Sequence, residues 1–249
     1  MIHLKSPEEL AIMRDANRIV AEILAELAAS VAPGITTMDL NDLSENLAYK
    51  YRVQPAFRGY RGFPCALCAS VNEEVVHGIP SRTRMLRTGD VVSLDFGVVY
   101  RDFFGDAAVT VAVGEVDEAA GRLLRTAEEA LFKGIAQAVA GKHLSDISHA
   151  VQSHVERCGY SVVREFTGHG IGRSLHEDPQ VPNFGRPGMG VQLKAGMVLA
   201  IEPMVNQGES AIEILQDGWT AVTRDRRLSV HFEHSIAITD NGPAILSKL

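Results

Sequence analysis

The chain has 249 residues, of which 46% are hydrophobic and 22% are charged, with a formal net charge of −7. This composition supplies one large core, or two lobes of one domain, and excludes a disordered chain. The acidic balance argues against a dedicated nucleic-acid binder, and the chain contains neither a membrane-spanning apolar run nor a signal-peptide pattern.

Helices are predicted from capping signals and apolar periodicity. The first begins at the capping box formed by Ser6 and Glu9, with Pro7 at the first helical position, and runs to about residue 30. Thr37 is expected to cap a second helix that ends near residue 51. A third is predicted over about 117–139, and a fourth, capped by Ser145, ends near residue 158.

Valine-rich and alternating apolar runs predict strands. Residues 91–99 and 103–113 indicate an antiparallel hairpin around Tyr100 and Arg101. Asp217-Gly218 is a strong hairpin-turn signal between two later runs. The later strand-like runs lie at 161–166, 197–205, 211–216, 219–224 and 230–239.

Two segment matches indicate an internal duplication. The segment from Leu86 to Asp95 matches that from Leu193 to Glu202, 107 positions later. Residues 31–34 match 139–142 at an offset of 108. We therefore predict a single domain over 1–249 with pseudo-two-fold halves, about 1–115 and 116–249, and a site where the halves meet. The match makes Asp95 and Glu202 equivalent.

Acidic residues interrupt the apolar strands of the first hairpin. If its turn lies between Tyr100 and Arg101, Asp95 faces Asp106 across the strands at roughly 5 Å between Cβ atoms. Two like charges that close require a shared proton or a cation.

The second half repeats this arrangement. A turn centred on residues 217–218 would pair Glu202 with Glu233. Four strand-borne acids and one imidazole, from His169, suit two divalent cations of the manganese, iron, cobalt or zinc kind. The set does not suit structural zinc, which prefers thiolates.

A glycine-rich loop over 166–179 carries His169 and His176. Such loops also bind phosphate when they open a helix, but Pro179 and Pro182 follow here instead of a helical pattern. A metal or acid–base site is the better interpretation of two imidazoles in this loop.

These residues lie within motifs that resemble those of type I methionine aminopeptidases, over essentially the whole chain. The motifs are Val71-Asn-Glu-Glu-Val-Val-His-Gly-Ile-Pro80, Asp95-Phe-Gly97, Gly105-Asp106, Thr167-Gly-His-Gly-Ile-Gly172, Ile201-Glu-Pro203 and Phe232-Glu-His234. The resemblance implies an α+β pita-bread fold, with antiparallel sheets and helices packed on one face. It also implies a bacterial-type catalytic core that removes the initiator methionine when the second residue is small.

The resemblance implies roles for individual residues. Asp95, Asp106, His169, Glu202 and Glu233 would bind two divalent ions (Co, Mn, Fe or Zn). The catalytic residues would be His77 beside the scissile bond, His176 at the substrate carbonyl, and Glu202 as proton acceptor. The methionine pocket would be lined by Tyr60, Phe63, Cys68, Leu175 and Trp219. Phe63 departs from a frequent family tyrosine, and Leu175 from a frequent phenylalanine, which leaves the shape of the pocket open.

Three alternatives remain at this point: a proline-specific peptidase of the same fold, a non-catalytic pita-bread binding protein, and a metal-free scaffold. The expected partners are the N-termini of peptides and nascent proteins, with a transient ribosome contact compatible with that work. We expect no direct nucleic-acid function, no membrane association and a monomer. An odd number of cysteines (three) favours a reducing compartment, so we expect a cytoplasmic protein.

Overall fold

The computed structural model describes residues 2–249 and contains the four predicted helices in the predicted order. They are α1 Pro7–Ser30, α2 Thr37–Tyr51, α3 Glu118–Ile135 and α4 Leu144–Arg157, with a short 3₁₀ turn at Tyr60–Gly62. The predicted end of α3 near residue 139 was wrong, because the helix ends at Ile135 and residues 136–137 form a turn instead. Within the described residues no helix is both long and apolar enough to cross a bilayer.

The predicted N-cap residue is correct for α1, but for α2 and α4 the cap lies one or two residues earlier than predicted. In α1 the Ser6 hydroxyl accepts the Glu9 N–H at 3.2 Å. Thr36, not Thr37, caps α2, because its hydroxyl reaches the N–H of the third helical residue. At α4, His143 precedes the helix, while Ser145 bonds to a distant loop instead.

Most strands belong to one large antiparallel sheet, in the order β1-β4-β5-β14-β9-β7-β8, with β2 added on β4 and β15 on β14. Two smaller sheets have the orders β13-β10-β6 and β11-β12-β3. The strands are β1 Gln54–Pro55, β2 Cys68–Val71, β3 Glu74–Val76, β4 Val91–Tyr100, β5 Phe103–Ala112, β6 Ser161–Val162, β7 Thr167–Gly170, β8 Glu177–Pro182, β9 Val198–Ile201, β10 Met204–Asn206, β11 Ile212–Ile214, β12 Ala221–Thr223, β13 Ser229–His231, β14 Glu233–Thr239 and β15 Gly242–Ile245.

Two predicted strands are split in the structure. The run 197–205 breaks around Pro203 into β9 and β10, and the run 230–239 breaks at Phe232 into β13 and β14. Around Pro203 the chain leaves the large sheet for a small one, and at Phe232 it returns from that small sheet to the large one. The run 161–166 is a strand only over Ser161–Val162, and β8 was not predicted.

The core fixes which face of β4 carries polar groups. Leu94 and Phe96 are fully buried in the cluster that contains Leu27 of α1. Because side chains alternate along a strand, Asp95 projects to the opposite face. α3 and α4 form a corresponding cluster with β9, which contains Leu199. The helices therefore cover one side, and the acids lie on the other.

A hydrogen bond within the first half recurs within the second half at an offset of 107. The Gly34 N–H donates to the Leu86 carbonyl at 2.8 Å, and the Gly141 N–H donates to the Leu193 carbonyl at 2.9 Å. The offset of 108 predicted for the first segment was therefore one residue too large: Gly34 corresponds to Gly141, not to Lys142. The duplication itself is visible in the backbone.

Candidate active site

The register of the β4–β5 hairpin differs by two residues from the prediction. Gly97 pairs with Asp106, and Asp95 pairs with Ala108. The reason is a two-residue turn at 101–102, where both residues have positive φ, 47° and 64°. Because side chains alternate with a period of two, Asp95 and Asp106 still share one face, as diagonal rather than direct neighbours.

The register predicted around Glu202 and Glu233 is confirmed. In the antiparallel pair of β9 and β14, Ile201 lies opposite His234. The next pair in this register is Glu202 opposite Glu233. β10 and β13 continue that register beyond the break. The predicted turn at 217–218 is also present, between β11 and β12.

His169 points one ring nitrogen at the acids. Its Nδ1 lies 2.9 Å from the Gly170 carbonyl oxygen, which can only accept, so Nδ1 carries the proton and donates a hydrogen bond to that oxygen. Nε2 then presents a lone pair, 3.6 Å from Glu202 Oε1. Ligand atoms of Asp106, His169 and Glu233 lie within 4.8 Å of one another. This arrangement, with the second nitrogen fixed by a carbonyl, is typical of a histidine metal ligand.

Burial places the acids in an environment that opposes negative charge. Burial raises the pKa of Glu202 to about 8. Burial is also the largest cause that raises the pKa values of Asp95, Asp106 and Glu233, and repulsion from neighbouring carboxylates raises them further. Considering residues 2–249, one oxygen of each of these last three has no hydrogen-bond partner. Buried, unpaired carboxylate oxygens fit a cation, which would compensate their charge.

All residues predicted for the site line one cavity of about 340 Å³. The structure brings together the four acids and one histidine proposed as ligands, the two further histidines and the apolar pocket residues. They are Asp95, Asp106, His169, Glu202, Glu233, His77, His176, Tyr60, Phe63, Cys68, Leu175 and Trp219.

His77 follows β3 in a left-handed backbone conformation, with φ of 60°. The rings of Phe166 and Trp219 approach it edge-on, at centroid distances of 5.2 and 6.1 Å. Burial lowers its pKa to about 4, so the imidazole is neutral near pH 7. Gly78 is required behind it, because a Cβ there would lie 2.5 Å from the Ala69 carbonyl oxygen.

His176 is held by aromatic and polar contacts. Its Nδ1 lies 2.9 Å from the Tyr60 hydroxyl, the two rings stack at 5.4 Å, and the His169 ring lies 4.2 Å away. Burial is the main cause that lowers its pKa. The side chain is therefore a neutral hydrogen-bonding group at the cavity wall.

An ion pair anchors the loop that carries His176. Lys5 Nζ lies 2.6 Å from Glu177 Oε2, and the two side chains are 5% and 12% exposed. Glu177 Oε1 accepts the N–H groups of Arg173 and Ser174 at 2.8 and 3.3 Å. The start of the chain thereby fixes the loop before β8.

The predicted methionine pocket is apolar and aromatic. Phe63 is buried and meets Trp219 in a T-shaped contact with ring centroids 5.2 Å apart. Leu175 is buried beside them. Burial also raises the pKa of the Cys68 thiol, which keeps this wall uncharged. Such a surface favours an apolar, polarizable side chain.

Some cavity residues were not predicted, and the most prominent is His231. It is 2% exposed and its Nε2 lies 3.5 Å from Glu202 Oε2. Its position two residues before Glu233 could have revealed it, because residues two apart on a strand share a face. Gln180 and Met204 also line the cavity, and no local sequence signal marks them.

The comparisons with known proteins agree with this geometry. The model of "Metallopeptidase family M24" matches residues 11–240. The chain belongs to metallopeptidase family M24. A methionine aminopeptidase of Clostridium perfringens is 51% identical over 249 residues, covering 100% of both chains. The crystal structure of methionine aminopeptidase from Thermotoga maritima has a TM-score of 0.99 and 49% identity, and the match covers 100% of both chains.

Membership of this family confirms the resemblance inferred from the motifs and the pita-bread fold. The prolidase from Pyrococcus horikoshii has a TM-score of 0.80 but only 23% identity, and the match covers 98% of this chain and 63% of that one. That similarity reflects the shared fold alone. The proline-specific alternative is therefore not favoured.

Proposed function

We propose that this protein is a metal-dependent methionine aminopeptidase that removes the initiator methionine from peptides and nascent proteins with a small second residue. The observation that carries the proposal is the position of the acids. A cluster of buried carboxylates with unpaired oxygens lies in the same cavity as a set of aromatic and apolar side chains. Relatives named methionine aminopeptidase match the whole chain, which supports the same assignment.

The acids and His169 would hold two divalent cations, of Co, Mn, Fe or Zn. Asp106 and Glu233, both almost fully buried, would hold these ions together with Asp95 and Glu202. When bound, such cations polarise a carbonyl group and acidify a water molecule.

The remaining chemistry would belong to side chains of the cavity. Glu202 would accept the proton of the attacking water, since its Oε1 lies 3.6 Å from the ligand His169 and burial favours its protonated form. His176 donates a hydrogen bond to the substrate carbonyl oxygen, where negative charge develops. Tyr60 supports this role by donating to His176 Nδ1, which leaves the proton on Nε2. His77, neutral through burial, hydrogen-bonds near the scissile amide.

Specificity would come from the apolar wall. Phe63, Leu175, Cys68 and Trp219 enclose a space in which a flexible thioether packs against aromatic edges. A charged first residue would lose its hydration without gaining a partner on this wall. The acid cluster on the opposite side would receive the free α-amine, which restricts cleavage to the first residue.

The proposal extends to the organisation of the protein. We propose that residues 1–249 act as a single catalytic domain, with a cavity built from the halves of about 1–115 and 116–249. The position of β4 and β5 beside β14 and β9 in one sheet supports a shared site. A cytoplasmic monomer with transient access to the ribosome would suit work on nascent chains.

Mass spectrometry of two peptides tests the function. A Met-Ala-Ser-type and an Ala-Pro-type peptide are incubated with metal-stripped protein, with and without added manganese or cobalt. We expect loss of the methionine alone, only with metal, and no loss in an Asp106→Asn variant. Asp102→Asn, on the exposed turn of the same hairpin, is the matched control and should retain activity. Cleavage of only the proline peptide, or of neither, would refute the proposal.

A further inference from the structure

We propose that His231 is a positioning residue that donates a hydrogen bond from Nε2 to the Glu202 carboxylate; this inference rests on the proposed function. His231 ends β13, is 2% exposed and lines the same cavity as the acids. Its Nε2 is buried, and within residues 2–249 it has no hydrogen-bond partner. Glu202 Oε2 lies 3.5 Å away.

The backbone of His231 is fixed from the neighbouring strand β5. Its N–H donates to Thr110 Oγ1 at 2.9 Å, and Thr110 Oγ1 donates to its carbonyl at 2.7 Å. Thr110 has a single hydroxyl proton, and the carbonyl can only accept. Ser93, 2.8 Å from Thr110, must therefore donate to it. This buried network holds the backbone of His231 at one place relative to the acids.

Glu202 lies between two imidazoles, one beside each carboxylate oxygen. Oε1 is 3.6 Å from His169 Nε2, and Oε2 is 3.5 Å from His231 Nε2. The Nδ1–H of His169 donates a hydrogen bond to the Gly170 carbonyl, so in the neutral ring Nε2 is an acceptor and cannot donate to Glu202. His231 is free to carry its proton on Nε2. A small rotation of either side chain brings the 3.5 Å contact to the usual distance of about 3.0 Å.

The backbone of Glu202 is held as well, because Asn183 Nδ2 donates to its carbonyl at 3.0 Å. A donor at Oε2 then restrains rotation of the carboxylate. With Oε2 engaged, Oε1 remains directed at His169. This is the oxygen that the proposed mechanism requires as ligand and proton acceptor. Hydrogen bonds to a ligating carboxylate orient it and typically affect metal affinity or activity by about 10- to 100-fold when removed.

Two variants separate the hydrogen bond from the packing. His231→Gln keeps a terminal N–H donor at about the reach of Nε2, whereas His231→Leu keeps a similar volume without a donor. For each variant we would measure kcat and KM on the Met-Ala-Ser-type peptide at saturating manganese, the affinity for manganese by calorimetric titration of stripped protein, and the thermal midpoint. We expect His231→Leu to lower kcat about tenfold or more with KM within about twofold, and to weaken manganese binding. His231→Gln should restore both.

Wild-type kcat and manganese affinity in His231→Leu would overturn the inference. Equal losses in the Gln and Leu variants would also overturn it, because the donor would then be irrelevant. A loss confined to the thermal midpoint would show a purely structural role, with the same consequence. If the wild-type protein does not cleave the peptide, the proposed function fails, and the manganese titration still decides whether His231 orients Glu202.

Discussion

Removing the metal should produce a protein whose stability falls as the pH rises above 7. Burial raises the pKa of Glu202 from 4.5 to about 8. Between these values the unfolded chain has lost a proton that the folded protein retains, so rising pH favours unfolding. The stabilising contribution is complete below the unfolded value and is lost as the pH rises to the folded one. Asp95, Asp106 and Glu233 shift in the same direction.

The magnitude follows from the titration of Glu202 alone. Between pH 7 and 9 the unfolded side chain stays ionised, while the folded one goes from about a tenth to about nine tenths ionised. The integrated change is about one pKa unit, or about 1.4 kcal/mol. For a chain of this size it lowers Tm by about 3–6 °C. Burial lowers the pKa values of His77, His169 and His231, an effect of opposite sign that acts mainly below about pH 6.5.

Scanning calorimetry of chelator-stripped protein at pH 7 and pH 9 measures this effect. The Glu202→Gln variant is the control, because its amide does not titrate and its Tm should depend less on pH. Saturating manganese should also reduce the dependence, since a cation compensates the charges. A stripped wild-type protein that is as stable at pH 9 as at pH 7 would refute the reasoning. Unchanged pH dependence in Glu202→Gln would do so too.

Three further substitutions have defined outcomes. Gly78→Ala places a Cβ 2.5 Å from the Ala69 carbonyl oxygen, so it should lower the free energy of unfolding, measured by calorimetry, by about 1–3 kcal/mol and reduce kcat. An unchanged Tm would contradict this prediction. Lys5→Met leaves the Glu177 carboxylate without its cation, so it should lower the free energy of unfolding, measured with denaturant, by about 3 kcal/mol and also lower kcat. Unchanged stability and kcat would show that the ion pair is dispensable. Trp219→Leu removes a pocket wall and should raise KM about fivefold at similar kcat; loss of kcat alone would argue against a binding role.

The sequence predicted the site better than it predicted the path of the chain. Asp95 and Glu202 could be identified because a duplicated segment carries an acid at the same place in an apolar strand. Period-two alternation then placed Asp106 on the face of Asp95, even though the register was wrong by two residues. A two-residue hairpin turn usually contains glycine or asparagine, but the turn at 101–102 consists of Arg101 and Asp102. Its left-handed conformation had no local signal.

The missed elements depend on tertiary contacts. β8 contains Pro179 and Pro182, and proline in a sequence normally predicts the end of a strand or helix. β8 stands at the edge of the large sheet, where a strand tolerates residues without an N–H. The split of a predicted strand around Pro203 likewise follows from pairing with two different sheets. Neither effect is visible in a window of local sequence.

The polar face of β4 and β5 explains why the acids indicate function rather than structure. Ser93 and Thr110 on this face are buried, and each has its hydrogen bonds met by the other or by the His231 backbone. Asp95 and Asp106 share the face, yet within the described chain each keeps one oxygen unpaired. A protein that satisfies two buried hydroxyls and leaves the adjacent carboxylates unsatisfied has a second partner for them. The donor set makes that partner a cation, and the apolar wall opposite makes the cavity a place where a side chain such as methionine can bind beside it.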